Sequence, residues 1–253
     1  MTLHVERAGS GANLVLLHGW GLHSGAWSEA MPALKAAFRV HAIDLPGHGH
    51  SSGARVGSLD QGVDAVAACI PEGAAVCGWS LGGLVAQRLA QRHPARVRQL
   101  VLVATTPCFV ERADWPDAMK AATLDAFGEG LRHNLEATLA SFVRLNALHG
   151  AHGRETIRAF TSRVLERGTP AAQALARTLQ WLRETDLRRD TAAMKVPTLV
   201  VHGTRDALAP IGAGHWLARN VQGAGLLELA DAAHIPFFTH REAFVKAVES
   251  FVG

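Results

Sequence analysis

The sequence lacks the features that mark secreted, membrane-spanning or disulfide-rich proteins. Its 253 residues contain only three cysteines, Cys69, Cys77 and Cys108, and these form no C-x-x-C pair and no even disulfide framework. No apolar run approaches the roughly 18 residues that a membrane span needs. The first residues also lack the basic-then-apolar layout of a signal peptide. We therefore expect a cytoplasmic protein without disulfides.

Several kinds of binding site are also missing from the sequence. It has no zinc-ligand spacing and no Gly-x-Gly-x-x-Gly segment after a predicted strand, the patterns that hold zinc and dinucleotide phosphates. The net charge is only +3, without the dense basic and aromatic patch of a nucleic-acid binder. We expect no metal or organic cofactor, no nucleic-acid or membrane partner, and a monomer.

The positive charge is concentrated in one segment. Between residues 132 and 167 six arginines stand against three glutamates, so this segment carries the whole surplus of +3. A local basic face of this kind fits a single acidic partner. An ordinary solvated helix face is the alternative, and charge alone leaves it open.

Short apolar runs bounded by glycine alternate with helical patterns, as in β-α-β units. The runs have nearly continuous Val, Leu and Ile content, so we predict a mostly parallel sheet buried on both faces. Residues 241–252 carry one apolar stripe and are predicted to form a terminal helix. The predicted strands are Leu14–Leu17, Val40–Ile43, Ala75–Cys77, Leu100–Val103, Thr198–Val201 and Leu226–Glu228.

The alternation of strand-like and helical patterns stops between Thr106 and Asp190. This segment has no strand-like run, and its patterns are helical and rich in Ala, Leu and Arg. We interpret this as an insertion: residues 1–105 and 191–253 form the core, and residues 106–190 form a helical lid. An insertion just after a strand end lies where ligands bind in open α/β sheets. This position favours a lid over a passive bundle.

The most informative motif is Gly78-Trp-Ser-Leu-Gly82, which follows an apolar run. It has the form of a G-x-S-x-G nucleophile elbow, in which the glycines leave room for a sharp strand-to-helix turn and the serine is exposed at its top. Leu81 to His93 is predicted to be the following helix. Ser80 is therefore the candidate nucleophile.

A serine nucleophile needs a base and an acid that orients the base. In this architecture they follow in the order Asp, His, each just after a strand. Asp206 and His234 stand in these positions. Asp231, three residues before His234, is a competing acid, and His240 more simply opens the final helix.

The oxyanion of an acyl-transfer intermediate needs two backbone N–H donors. The residue after the serine, Leu81, supplies one, and the loop after an early strand supplies the other. Leu14-Val-Leu-Leu-His18-Gly19-Trp20 has that form, and Trp20 is the predicted second donor. For His18 we favour a structural role that ties down this loop.

These blocks, together with Asp44-Leu-Pro-Gly-His-Gly-His-Ser51, resemble the signature set of the α/β-hydrolase superfamily. They span nearly the whole chain. The resemblance implies the α/β-hydrolase fold, a mostly parallel central sheet flanked by helices with a helical lid, and a catalytic triad of Ser80, Asp206 and His234.

A narrower resemblance rests on residues 16–22 and 78–86 and on Pro107-Cys-Phe109 followed by Asp114-Trp-Pro116. These are similar to the esterases of biotin synthesis that hydrolyse the methyl ester of pimeloyl-acyl carrier protein. That family implies that Trp20, Phe142 and Asn146 bind substrate, with Trp20 and Leu81 near the reacting carbonyl.

The same resemblance implies that Arg154 and Arg158 engage the acidic carrier protein. They lie at i and i+4, on one helical face. Where further arginines are expected one and two turns earlier, this chain has Ala137 and Ser141.

We therefore predict a serine carboxylesterase acting on pimeloyl-acyl carrier protein methyl ester. The alternatives are a general short-chain esterase, a carbon–carbon bond hydrolase of the same fold, and a ligand-sensing relative that binds without turnover.

Overall fold

The computed structural model describes residues 2–147, 158, 160–162 and 170–253. Seven strands form one sheet in the order β1-β3-β2-β4-β5-β6-β7. The strands are β1 (Val5–Ala8), β2 (Asn13–Leu17), β3 (Arg39–Ile43), β4 (Ala74–Trp79), β5 (Val97–Val103), β6 (Thr198–Gly203) and β7 (Gly225–Leu229).

All neighbouring strands are parallel except β1, which pairs antiparallel with β3 at the edge of the sheet. The six strands predicted from apolar runs are all present, with ends that differ from the predicted ones by at most three residues. The sequence analysis missed β1, because Val5-Glu-Arg-Ala8 is a short, half-exposed edge strand without an apolar run.

The α-helices whose full extent lies among the described residues are α1 (Met31–Ala37), α2 (Leu59–Ala67), α3 (Leu81–Arg92), α4 (Ala121–His133), α5 (Leu135–Ala147), α6 (Ala172–Glu184), α7 (Arg188–Ala192), α8 (Ile211–Asn220), α9 (Pro236–Thr239) and α10 (Arg241–Val252). The helix predicted after the serine is α3, and the predicted terminal helix is α10. None of the described helices is both long and apolar enough to cross a membrane.

Apolar side chains cover both faces of the sheet. In β2, Val15 and Leu17 belong to one buried cluster, whereas Leu14 and Leu16 belong to a second cluster. Successive side chains of a strand point to opposite faces, so a run that is apolar at every position is buried on both. Packing on both faces holds the sheet in place, and with it the strand ends that carry the candidate site residues.

The strand order reverses beside β2, since the chain runs from β2 to β3 on one side and then returns to β4 on the other. Leu17 pairs with Gly78 in the parallel register, so the carboxyl ends of β2 and β4 lie next to each other. Such a reversal leaves a crevice at the carboxyl edge, where ligands bind in open α/β sheets.

Candidate active site

Ser80 lies between the end of β4 and the first residue of α3, with φ 54° and ψ −117°. A positive φ is rare for a residue with a side chain and costs energy that the surrounding structure must hold. Ser80 N donates to Val103 O (3.0 Å), and Thr105 Oγ1 donates to Ser80 O (2.8 Å). Both peptide groups of the strained residue are thus bonded to the end of β5 and the residues after it.

The glycines of the motif are required by close backbone approaches. A Cβ on Gly78 would lie 2.3 Å from Gly82 O, and a Cβ on Gly82 would lie 2.2 Å from Leu17 O. The turn from β4 into α3 therefore has room only for hydrogen atoms at these two positions. The G-x-S-x-G spacing follows from this crowding.

Asp206 and His234 are brought together from the loops after β6 and β7. The Nδ1 atom of His234 lies 2.7 Å from Oδ2 and 2.9 Å from Oδ1 of Asp206. Since an ionised carboxylate only accepts hydrogen bonds, Nδ1 carries the proton and Nε2 has the free lone pair. Both side chains are fully buried.

Asp206 is itself oriented by the backbone. The amides of Leu208 and Ala209 donate to its Oδ1 at 2.8 and 2.9 Å. His202 also lies close, with Nε2 3.7 Å from Oδ2 of Asp206 and bonded to Ala209 O at 2.7 Å. Burial lowers the pKa of His202, so its neutral ring adds no positive charge that would compete with His234.

The competing acid has a different partner. Asp231 is exposed and forms an ion pair with Arg205, 2.5 Å from its guanidinium. His240 stands at the N-cap of α10, as the sequence suggested. Asp206 is therefore the carboxylate that meets His234.

Nε2 of His234 is buried and has no hydrogen-bond partner among the described residues. Ser80 Oγ is thus not hydrogen-bonded to it in this conformation. The bond between nucleophile and base is often long without substrate and tightens in the complex. The imidazole ring nevertheless lies beside the elbow, with its centroid 5.7 Å from the ring of Trp79, the residue before Ser80.

Leu81 is the first residue of α3, and the first N–H groups of a helix have no partner within it. They also form the positive end of the helix dipole. Trp20 lies in the turn after β2, at the neighbouring strand end. This arrangement allows two N–H groups to face an oxygen that develops negative charge beside Ser80.

His18 holds the loop that carries Trp20. Its Nδ1 lies 2.8 Å from Gly19 O, and Leu45 N donates to its Nε2 at 2.9 Å. One nitrogen thus donates and the other accepts, which requires the neutral ring. Burial, together with the nearby His48, lowers the pKa of His18 to about 3.

A narrow cavity opens beside Ser80. The free volume within it is about 10 Å³, which is room for about one water molecule. Residues of the segment 106–190 and residues from the rest of the chain both line it. The lining residues are Trp20, Ser80, Phe109, Met119, Leu124, Phe127, Phe142, Leu179, Leu182 and Leu208.

Aromatic side chains close this cavity. The rings of Trp20 and Phe142 meet edge to face with centroids 5.0 Å apart, and Phe127 lies 6.0 Å from Trp20 and 5.6 Å from Phe142. Trp20 Nε1 also donates to Leu175 O of α6 at 3.0 Å. Side-chain contacts thus bind the loop after β2 to the helices above it.

The other residues of the segment 106–190 named from sequence are placed as follows. Arg158 is exposed. Arg154 and the side chain of Asn146 lie outside the described residues. Sequence reasoning missed most of the cavity lining, although the apolar spacing of Leu124, Phe127 and Leu131 in α4 carried a signal for a buried helix face.

No group of three or more His, Cys, Asp or Glu residues in the described part of the chain could hold a metal ion. The candidate reactive groups at the described strand ends are the Ser80 hydroxyl and the paired side chains of His234 and Asp206.

Comparisons with known proteins agree with this architecture. Residues 12–241 match the model of the alpha/beta hydrolase fold family. Among solved structures, an esterase from Exiguobacterium antarcticum superposes with a TM-score of 0.87 at 22% identity, covering 99% of this chain and 95% of that one. A bromoperoxidase from Bacillus anthracis gives the same TM-score at 23% identity, covering 98% and 94%. These two likenesses concern the fold.

Curated relatives are more similar in sequence. A protein of Nitrosomonas europaea is 41% identical over 98% of this chain and 99% of its own length. One from Chromobacterium violaceum is 41% identical over 98% and 97%. Both are named pimeloyl-[acyl-carrier protein] methyl ester esterase. The chain therefore belongs to the α/β-hydrolase family and, within it, to the group of these curated relatives.

Proposed function

We propose that this protein is a serine carboxylesterase that hydrolyses the methyl ester of pimeloyl-acyl carrier protein to pimeloyl-acyl carrier protein and methanol. The observation that carries the proposal is the buried pair of Asp206 and His234, with Oδ2 and Nδ1 2.7 Å apart. The carbonyl of His234 is bonded to Trp79 of the strained elbow that carries Ser80. Full-length relatives about 40% identical bear the name of this activity.

The proposed reaction has two halves. His234 Nε2 takes the proton of Ser80 Oγ, which attacks the ester carbon, while the amides of Trp20 and Leu81 bind the oxyanion. The same imidazole protonates methoxide, which leaves as methanol. Water, deprotonated by His234, then attacks the acyl-enzyme, and the proton returns to Ser80 as the acid departs. Asp206 keeps Nδ1 protonated throughout.

We propose that residues 106–190 act as a lid over this centre, with 1–105 and 191–253 as the core. The support is that this segment supplies Phe127 and Phe142 to the cavity lining, alongside Trp20, Ser80 and Leu208 from the rest of the chain. Since the closed cavity has room for about one water, an acyl chain enters only when these side chains or the lid move. Phe142 and Asn146 are the proposed acyl-binding residues of the lid.

For the carrier protein we propose a docking face that includes Arg154 and Arg158. The support is the surplus of three positive charges between residues 132 and 167, together with the exposure of Arg158. An acidic partner would be attracted to such a face, and salt would screen the attraction.

The first test is the nucleophile. Ser80→Ala should lose at least 10³-fold in kcat on pimeloyl-acyl carrier protein methyl ester, to roughly the level that oxyanion donors and binding alone supply. A fluorophosphonate probe should label the wild-type protein at Ser80 and leave the variant unlabelled. Turnover retained in Ser80→Ala would remove the serine mechanism, and a wild-type protein that binds the ester without turnover would favour the ligand-sensing alternative.

The second test separates the specific activity from a general esterase. We expect a higher kcat/KM on the carrier-bound methyl ester than on free dimethyl pimelate, with the difference shrinking as salt rises. Arg158→Ala should weaken only the carrier-bound reaction, whereas Arg219→Ala, on the exposed end of α8, should leave both rates unchanged. Equal rates on the two substrates at every salt concentration would favour the general esterase.

A further inference from the structure

Trp79 connects three loops of the site, although it lies in the variable position of the serine motif. We propose that Trp79 is a positioning residue whose indole holds the backbone of His234 at a fixed place relative to Ser80. This inference rests on the proposed serine mechanism and extends it to a residue that does not line the cavity beside Ser80.

The first observation is a hydrogen bond. Trp79 Nε1 donates to the carbonyl oxygen of His234 at 2.7 Å, within the protein interior. The donor belongs to the residue covalently joined to Ser80, and the acceptor belongs to His234 itself. One side chain thus links the nucleophile and the base, which are far apart in sequence, by a peptide bond on one side and a hydrogen bond on the other.

The second observation is that the indole cannot turn away. Trp79 is fully buried, and its ring packs edge to face against Phe237 at 4.9 Å and Phe160 at 6.0 Å. Phe237 lies in α9, directly after the His234 loop. A ring held on several sides keeps its N–H group aimed in one direction, so the hydrogen bond is preorganised.

The third observation concerns the loop that carries Trp20. A Cβ on Gly19 would lie 3.0 to 3.2 Å from three carbon atoms of the Trp79 indole. The backbone of Gly19 therefore rests directly on this ring. The indole is a common support for the nucleophile, for the base and for the loop of the predicted oxyanion donor.

A neighbouring tryptophan separates this role from simple filling of the core. Trp27 lies in the same aromatic cluster, with its ring centroid 6.5 Å from that of Trp79, and it is equally buried. Its Nε1, however, has no hydrogen-bond partner among the described residues. Replacing either indole by a phenyl ring removes similar volume, but only Trp79→Phe removes a bond to His234.

The experiment compares Trp79→Phe with Trp27→Phe on a p-nitrophenyl ester and on the carrier-bound methyl ester. For Trp79→Phe we expect kcat to fall about 10- to 100-fold, because a displacement of about 1 Å in a reacting group costs that much. KM should change less than about twofold, since the acyl cavity does not include Trp79. Trp27→Phe should keep kcat within about threefold.

A variant that keeps the shape isolates the hydrogen bond. Placing 3-benzothienylalanine at position 79 replaces the N–H group by sulfur, which cannot donate, and retains a bicyclic ring that can pack against Phe237 and Phe160. We expect it to lower kcat as Trp79→Phe does. If this variant keeps the wild-type kcat, or if Trp79→Phe and Trp27→Phe lower kcat equally, the positioning role is wrong.

Failure of the proposed function gives a different pattern. If Ser80→Ala remained active, both the serine mechanism and this inference would be overturned. If Ser80→Ala is inactive while all three tryptophan variants behave alike, only the role of Trp79 fails. The rate of fluorophosphonate labelling of Ser80 in each variant gives a second reading that does not depend on the ester chosen.

Discussion

The backbone at Ser80 shows how single residues set up the chemistry. Its φ of 54° is unfavourable for a residue with a side chain. Ser80 N donates to Val103 O at the end of β5, and Thr105 Oγ1 donates to Ser80 O, and these two bonds hold the residue there. Gly82 permits this turn because its missing Cβ would lie 2.2 Å from Leu17 O. The strain is local, but the contacts that hold it come from neighbouring strands.

At this scale Asp206→Asn should lower kcat about 10³- to 10⁴-fold with little loss of folding stability. The amides of Leu208 and Ala209 donate to Oδ1, so the carbonyl oxygen of the new amide would take that place. Its NH₂ group would then face Nδ1 of His234, where Oδ2 lies now at 2.7 Å. That favours the tautomer with the proton on Nε2, which cannot accept a proton from serine.

The matched control is Asp231→Asn, which removes the other carboxylate near His234 in sequence. Asp231 is paired with Arg205 at the surface, and such pairs contribute little. We expect steady-state kinetics to give a kcat within about twofold of wild type. Equal losses in the two variants would contradict the assignment of Asp206.

At the scale of elements, the helices above the sheet and the strand ends below it enclose the cavity together. The indole of Trp20 is bonded to Leu175 O in α6, and Phe127 of α4 and Phe142 of α5 pack against its ring. Arg183 and Asp125 form an ion pair between α6 and α4. The helices thus move against Trp20 only by breaking these contacts.

Phe142→Leu should shift the acyl preference towards longer chains, because it removes part of an aromatic wall of a cavity with room for about one water. We expect the kcat/KM ratio of p-nitrophenyl octanoate to butyrate to rise about fivefold or more, since hydrophobic pockets discriminate chain length to this extent.

Phe38→Leu is the control for that measurement. Phe38 is a buried phenylalanine at the C-cap of α1 and is not among the residues that line the cavity. This substitution should leave the ratio unchanged. A ratio that stays constant in Phe142→Leu as well would remove Phe142 from the acyl site.

For the whole molecule, buried neutral histidines couple folding to pH. Burial lowers the pKa of His18 to about 3 and that of His48 to about 4, below the value of about 6.5 in an unfolded chain. As the pH falls below 6.5, these histidines bind protons in the unfolded state but stay neutral in the folded state. The stability that this difference in protonation gives the folded state is therefore fully present above about pH 6.5. It is lost progressively as the pH falls towards 4 and 3.

We therefore expect the melting temperature to fall between pH 6.5 and pH 4. His48→Gln should flatten this dependence, because each such histidine accounts for up to about 3 kcal/mol of the pH-dependent stability. His133→Gln, at an exposed position in α4, should leave the pH dependence of the melting temperature unchanged. Calorimetry at half-unit pH steps makes the comparison, and parallel pH curves for wild type and His48→Gln would contradict it.

Much of the site was predictable from sequence because its parts are local patterns. Buried parallel strands read as apolar runs, and the functional side chains follow them directly, so Ser80, Asp206 and His234 could be placed at strand ends. The edge strand β1 had no such pattern, since its half-exposed residues alternate too weakly. The cavity lining was missed because the apolar pattern of a helix shows that one side is buried but not which residues it packs against.

The sequence by itself determined where the chain turns and which chemical groups stand at each turn, because glycine spacing and apolar runs act over a few residues. Only the tertiary structure decided that His234 meets Asp206 and not Asp231, and that the indole of Trp79 reaches the His234 carbonyl. It also decided that Trp20 is tied to α6. These contacts join residues 28 to 155 positions apart, and their geometry depends on how the whole sheet and its helices pack.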